Sequence, residues 1–226
     1  LNAVKGNADL LFSVAGKNSL EEADNFGCHH VYLLSRLKKR KHKLKHIRSI
    51  EYGRSYQQSI GIKAFQGEAL QALFFSRLTS RVIRPGSFPD SLQTLVLNLY
   101  FNKQLACNVL PANLISITFG CLDDQPFLPG ALPSNLRQLI FTGLASGGDH
   151  QLTNLPSSLT YLIISGYSID KLQLSWPPKL QVLGLPNLKV DYSKIPKSVT
   201  TLMCWVDEFL PTFPSAVEHL VFHKFT

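Results

Sequence analysis

The sequence predicts a repeat solenoid, a single right-handed coil of chain. Each turn lays a short strand into a parallel concave sheet, and the convex side is made of loops and 3-10 turns, with a helical cap at the N-terminus. Three observations carry this expectation. An apolar motif, P-x-x-L-x-x-L-x-L, recurs at nearly constant spacing. The residues between its copies are rich in Gly, Pro, Asn and Asp, which favour turns over long helices. The composition, 45% hydrophobic and 17% charged over 226 residues, suits a chain that buries a large core and is not disordered.

The clearest copies begin at Pro89, Pro111, Pro133, Pro156, Pro177, Pro196 and Pro214, at spacings of 22, 22, 23, 21, 19 and 18 residues. Two further copies precede them. One starts at Gly67, with Leu70, Leu73 and Phe75 in the apolar slots; the other starts at Leu44, with Ile47, Ile50 and Tyr52. All 27 slots of these nine copies are apolar, which a composition of this kind does not produce by chance. The final L-x-L puts two side chains on one face of a strand, and the leucine three residues earlier packs from the turn that leads in. One repeat cannot bury that face alone, whereas stacked repeats share a continuous core. A proline ahead of the strand costs the ladder no donor. The expected organisation is a helical cap with a basic segment over residues 1–43 and about nine repeats over residues 44–226.

The run from Asp124 through Pro126, Phe127, Leu128, Pro129, Gly130, Ala131, Leu132 and Pro133 to Leu136 resembles the FNIP repeat, a relative of the leucine-rich repeat. So does Phe101-Asn102-Lys103-Gln104-Leu105, which carries the F-N-x-x-L element. The resemblance covers roughly residues 61–226 and is most specific in the copies at Pro89 and Pro111. The later, shorter copies resemble the L-P-x-x-L repeats of secreted bacterial effectors. The FNIP family occurs mainly in social amoebae and giant DNA viruses. The resemblance implies a leucine-rich-repeat-like interaction module, sometimes joined to F-box or kinase domains, and brings no catalytic residues with it. One role it suggests is substrate recognition in an F-box type ubiquitin ligase.

Outside the repeat, Ser19-Leu20-Glu21-Glu22 reads as a capping box. The loose helical period of Leu20, Ala23, Phe26, Val31, Leu34 and Leu37 predicts a helix over residues 20–40. Its expected role is to cover the first turn of the stack. Residues 1–86 hold 15 Lys and Arg against 6 Asp and Glu, and residues 87–226 hold 8 against 9. The basic excess centres on Arg36, Lys38, Lys39, Arg40, Lys41, Lys43, Lys45 and Arg48. These could grip nucleic-acid phosphates, which would make the chain an accessory subunit of a nucleoprotein complex. They equally suit a solvated helix end that complements the helix dipole. The scattered Cys28, Cys107, Cys121 and Cys204 fit a reducing compartment. No apolar run is long enough to cross a membrane, so the expected setting is intracellular, cytoplasmic or nuclear. The first residue is Leu1, so the expectation is a piece of a longer or processed polypeptide.

No catalytic, metal or cofactor pattern stands out. His219 and His223 are four apart, but the repeat makes that segment a strand, where such residues lie about 13 Å apart. Cys28-His29-His30 lacks ligand spacing, Asp149-His150 has no nearby nucleophile, and Gly147-Gly148 belongs to no phosphate-binding pattern. The expectation is therefore a non-enzyme with no small-molecule substrate and no membrane contact. Its partner would be a protein bound on the concave face. The outward strand positions there form an apolar stripe in which Val96, Ile140, Tyr161, Ile163, Met203 and Trp205 are the candidate partner-binding residues. Exposed stripes of this kind tend to mark binding surfaces, although strands also favour β-branched residues for their own sake.

Overall fold

The computed structural model describes residues 2–4, 11–14, 30–33, 42–43, 45–52, 65–66, 69–75, 83–97, 104–120, 127–142, 150–164, 172–185, 195–205 and 214–223. Sixteen strands occur among the described residues: β1 (Asn2–Val4), β2 (Leu11–Val14), β3 (His30–Leu33), β4 (His42–Lys43), β5 (Ser49–Tyr52), β6 (Phe65–Gln66), β7 (Ala72–Phe75) and β8 (Thr94–Leu97). They continue with β9 (Ser116–Phe119), β10 (Gln138–Phe141), β11 (His150–Leu152), β12 (Tyr161–Ile164), β13 (Leu172–Leu174), β14 (Val182–Leu185), β15 (Thr201–Trp205) and β16 (His219–His223). Twelve of these form one sheet in the order β1-β2-β3-β5-β7-β8-β9-β10-β12-β14-β15-β16. Every pairing in it is parallel except the first, where β1 runs antiparallel along β2. Among the described residues the return side carries two smaller parallel pairs, β4 with β6 and β11 with β13, together with turns and bends.

Register follows the motif. Leu95, Ile117, Leu139 and Leu162 are direct neighbours in one column, as are Leu97, Phe119, Phe141 and Ile164 in the next. All 24 apolar slots of the copies from Leu44 to Pro196 are at most 3% exposed. Within that core Tyr52 stacks on Phe75 with ring centroids 4.7 Å apart, and Phe119 stacks on Phe141 at 5.6 Å. Phe127 reaches in from the return side and tilts against both Phe119 and Phe141.

The proline does more than precede the strand. In all seven copies that begin with Pro, the amide three residues later donates to the proline carbonyl, at 3.0–3.3 Å. P-x-x-L is thus one closed turn that delivers the first slot residue to the core. At the start of each main-sheet strand from β7 to β16 a single carbonyl of the preceding repeat accepts two successive amides. Gln93 O, for example, takes both Ile115 N and Ser116 N, and Arg137 O takes both Thr160 N and Tyr161 N. The residue two after the proline adds a side-chain rung. Ser91 Oγ donates to Leu70 O, Ser158 Oγ to Leu136 O, Asn113 Nδ2 to Asp90 O and Asn135 Nδ2 to Ala112 O.

Three successive turns reverse again shortly before the next proline. Gly86, Asn108 and Gly130, spaced by 22 residues, all have positive φ (76°, 60° and 76°). Pro85-Gly86 and Pro129-Gly130 are closed by Ser87 N donating to Arg84 O and Ala131 N donating to Leu128 O. Proline second and a left-handed glycine third is the type II pattern. A left-handed backbone is open to Gly and, at modest cost, to Asn, which is why Asn108 serves at the matching place.

The N-terminal helical cap is not supported. No helix occurs among the described residues. His30–Leu33, inside the expected helix, is strand β3, paired on both sides with β2 and β5. The capping box at Ser19 and most of residues 20–40 lie outside the described residues. The physical reason lies in the register: Val31 aligns with Ile50 and Leu33 with Tyr52, nineteen residues on, and Phe12 with Val31 at the same interval. The repeat shortens there, so extrapolation at 22–23 residues misses these copies. β-Branched and aromatic residues with a strand edge beside them favour the ladder over a loose helical period. The edge of β2 is covered by β1 rather than by a helix.

Two outcomes test this packing. Leu139→Ala empties the centre of a fully buried column and is expected to cost about 2–5 kcal/mol in denaturant unfolding. Ser198 supplies the second. It occupies the place of Ser158, but only nineteen residues separate Pro177 from Pro196, and its buried Oγ finds no partner among the described residues. Ser158→Ala is expected to lose about 1 kcal/mol, whereas Ser198→Ala is neutral or stabilising because it removes a desolvated hydroxyl. Equal losses at the two positions would contradict the account.

Candidate functional site

Strand alternation that buries two residues of each repeat turns the residue between them to the opposite face of the sheet. The register makes these residues an unbroken column: Glu51, Phe74, Val96, Thr118, Ile140, Ile163, Gly184, Met203 and Val221 are successive neighbours. Val96, Ile140 and Met203 are half-buried and Val221 is 37% exposed. Their flanks are covered by the adjacent strands, and the tops of the side chains face solvent. Tyr161, half-buried, stands on the same face one column over, between Gln138 and Val182. That flanking column is mostly polar, with Thr94, Ser116, Gln138, Thr201 and His219. An apolar centre line with a polar border is the anatomy of many protein-binding patches.

Ile163 departs from its neighbours. It is only 8% exposed, because the next residue in the column is Gly184 and Ile163 leans into the space above it. A Cβ at Gly184 would collide with Cδ1 of Ile163. The column is therefore levelled at this point, and Ile163 offers less surface than the sequence suggested. Trp205 ends β15 opposite His223; its side chain lies outside the described part.

Of the basic residues, Lys45 and Arg48 are exposed at the lead-in to β5. Lys43 is in β4, with its side chain undescribed. Arg36, Lys38, Lys39, Arg40 and Lys41 lie outside the described residues. The structure thus assembles the apolar stripe, while most of the basic segment lies outside the described residues. Among the described residues no group of three His, Cys, Asp or Glu side chains stands close enough to hold a metal. No described helix is long and apolar enough to cross a membrane.

Sequence reading missed a further core column, the residue just before the proline. Phe88, Leu110, Leu132 and Ile195 are buried there, and Leu155 and Trp176 pack against the core. The signal was present as L-P and F-P dipeptides, read only for their prolines. These side chains fill the space beneath the strands and support the sheet from the return side.

A parallel sheet built one strand per repeat, with a leucine column and a turn-rich return, defines a solenoid of the leucine-rich type. Residues 81–122, which hold the copies at Pro89 and Pro111, match the family model for the FNIP Repeat. The chain is thus a repeat protein that carries FNIP-type repeats over residues 81–122. Over 67 residues it is 45% identical to the probable serine/threonine-protein kinase fnkA of Dictyostelium discoideum; that stretch is 28% of this chain and 8% of the kinase. Among solved structures, CroV588, described as a novel circular LRR protein, aligns at 18% identity and a TM-score of 0.49, over 93% of this chain and 41% of that one.

The packing at Gly184 is open to test. The obstructing atom is the rotatable end of Ile163, so Gly184→Ala is expected to fold with stability within about 1 kcal/mol of the parent. The Ile163 δ1 methyl resonance should move. An unmoved resonance would contradict the contact.

Proposed function

We propose that the chain is a protein-interaction module that holds a partner protein against the solvent face of its sheet, without chemistry of its own. The observation that carries this reading is the registered column from Phe74 through Val96, Ile140 and Met203 to Val221. The repeat returns an apolar side chain to the same lateral position on a solvent-facing surface. The core does not need these residues, since the buried columns lie on the other face. A line of mostly apolar side chains, with strands about 4.8 Å apart along the stack and interrupted at Thr118 and Gly184, suits an elongated partner with a matching apolar ridge. The stretch shared with a much longer kinase is in keeping with a repeat array used as an accessory module. Tyr161 is the aromatic anchor in this reading, with Trp205 at the far end of β15 as its counterpart.

The experiment is affinity capture followed by titration of the captured protein against face variants. Val96→Glu, Ile140→Glu and Met203→Glu each place a charge in the column on the side away from the core, and Tyr161→Ala with Trp205→Ala removes the anchors. Each is expected to weaken binding about tenfold or more, a loss of ~1.4 kcal/mol, while the unfolding midpoint stays close to the parent's. Binding should survive nuclease and change little between about 50 and 200 mM salt, since an apolar contact releases few counterions. A partner lost on nuclease treatment, with a steep salt dependence, would instead assign the function to the basic segment.

A further inference from the structure

The solvent face of the sheet is nearly free of formal charge in a chain whose net charge is +8. From β7 through β15 the described residues of the apolar column, and of the flanking column beside it, are all neutral. The position one step before each strand borders this face. Gln71, Gln93, Ile115, Thr160, Gln181 and Thr200 hold that position and are neutral as well, whereas Arg137 carries a charge. Arg137 lies midway along this stretch and is exposed. Its backbone is tied in on both sides: Arg137 N donates to Ile115 O at 2.9 Å, and Arg137 O accepts Tyr161 N at 3.0 Å. Gln138, also exposed, follows it and pairs in register with the half-buried Tyr161. Three adjoining backbone positions thus carry a guanidinium, a primary amide and a phenol, each of them a donor. Apolar residues stand on either side. Ile115, 38% exposed, precedes Arg137 along the border, and Ile140 follows in the apolar column.

We infer that this patch receives an acidic side chain of the partner protein, an Asp or Glu set between apolar residues, with Arg137 as the ion-pairing group and Gln138 and Tyr161 as further donors. The inference rests on the face being the protein-binding surface proposed above, and its ground is charge complementarity. A partner that covers the middle of the face takes water away from the Arg137 guanidinium. Left uncompensated, that charge costs more than the Gln or Thr found at the matching positions of other repeats. A fitting partner therefore brings the opposite charge to this point. The planar fork of Arg takes a carboxylate through two bonds. A single Arg among apolar neighbours suits a carboxylate, whereas phosphorylated motifs are held by clusters of Arg. Ile115 and Ile140 favour apolar residues next to that acid. The ladder holds the charge at a fixed place beside the apolar line, so it sets the partner's register as well as its affinity. One ion pair adds little to the salt dependence of a contact that is otherwise apolar.

The test is selection from a random linear-peptide display library on the nuclease-treated 226-residue chain, followed by titration of the selected peptides. Arg137→Gln and Arg137→Glu run beside the parent. A double variant, Lys38→Gln with Lys39→Gln, removes as much charge from the basic segment as Arg137→Glu removes from the face. Val96→Asn disturbs the apolar column without adding charge. Circular dichroism checks that each variant folds. The parent should enrich Asp or Glu next to apolar residues, in peptides that Val96→Asn binds more weakly. Arg137→Gln should weaken those peptides about tenfold, and a fresh selection on Arg137→Glu should favour Lys and Arg instead. The double lysine variant should keep both the affinity and the acidic preference. An acidic preference that survives Arg137→Glu, or that falls equally in the lysine variant, overturns the inference. Peptides without acidic residues that depend on Val96 and ignore Arg137→Glu also overturn it, and leave the interaction reading standing. A parent that selects no peptide dependent on Val96 overturns both.

Discussion

The structure depends on one constraint: a repeat of about twenty residues has an apolar face that it cannot bury by itself. Leu139 is fully enclosed because Ile117 lies on one side of it and Leu162 on the other. The same holds at each described step from Ile50 to Leu202. Stability is therefore shared between neighbours and not stored within a repeat. Interior repeats are tightly packed, whereas in β16, the last strand of the described sheet, Leu220 and Phe222 are 40% and 48% exposed.

Hydrogen bonding enforces the same neighbour-to-neighbour logic. The P-x-x-L turn fixes where the strand starts, and the doubly accepting carbonyl of the preceding repeat fixes its register. Once register is fixed, what stands on the solvent face is fixed as well, because a slip by one residue would exchange the two faces. The apolar stripe is thus a consequence of the spine. Chain can be added or removed on the return side, as the spread of proline spacings shows, without moving Val96 from beside Thr118 or Ile140 from beside Ile163.

Much of this was legible in the sequence because the columns are strictly periodic. Leu95, Ile117, Leu139 and Leu162 line up as their spacing requires, and Val96, Ile140 and Met203 stand on the solvent face. What was not legible turned on local geometry. The copies at Phe12 and Val31 were missed because the spacing there falls to nineteen residues and Val31 also fits the helical period read over residues 20–40. The burial of Ile163 depends on Gly184 in the next repeat, a pairwise contact that no single-column reading contains. Phe88, Leu110 and Leu132 were overlooked because the residue before each proline belongs to the return path, whose packing follows from the left-handed turns at Gly86, Asn108 and Gly130.

The most direct measurement of the central claim is a methyl NOE network on the labelled protein. The account predicts that the methyls of Leu139 show strong cross-peaks to Ile117 and Leu162, and that Ile117 in turn sees Leu95, with no strong peak linking Leu95 to Leu162. A network in which Leu139 lacks either neighbour, or contacts a repeat two steps away, would contradict the stacked spine and with it the face built on it.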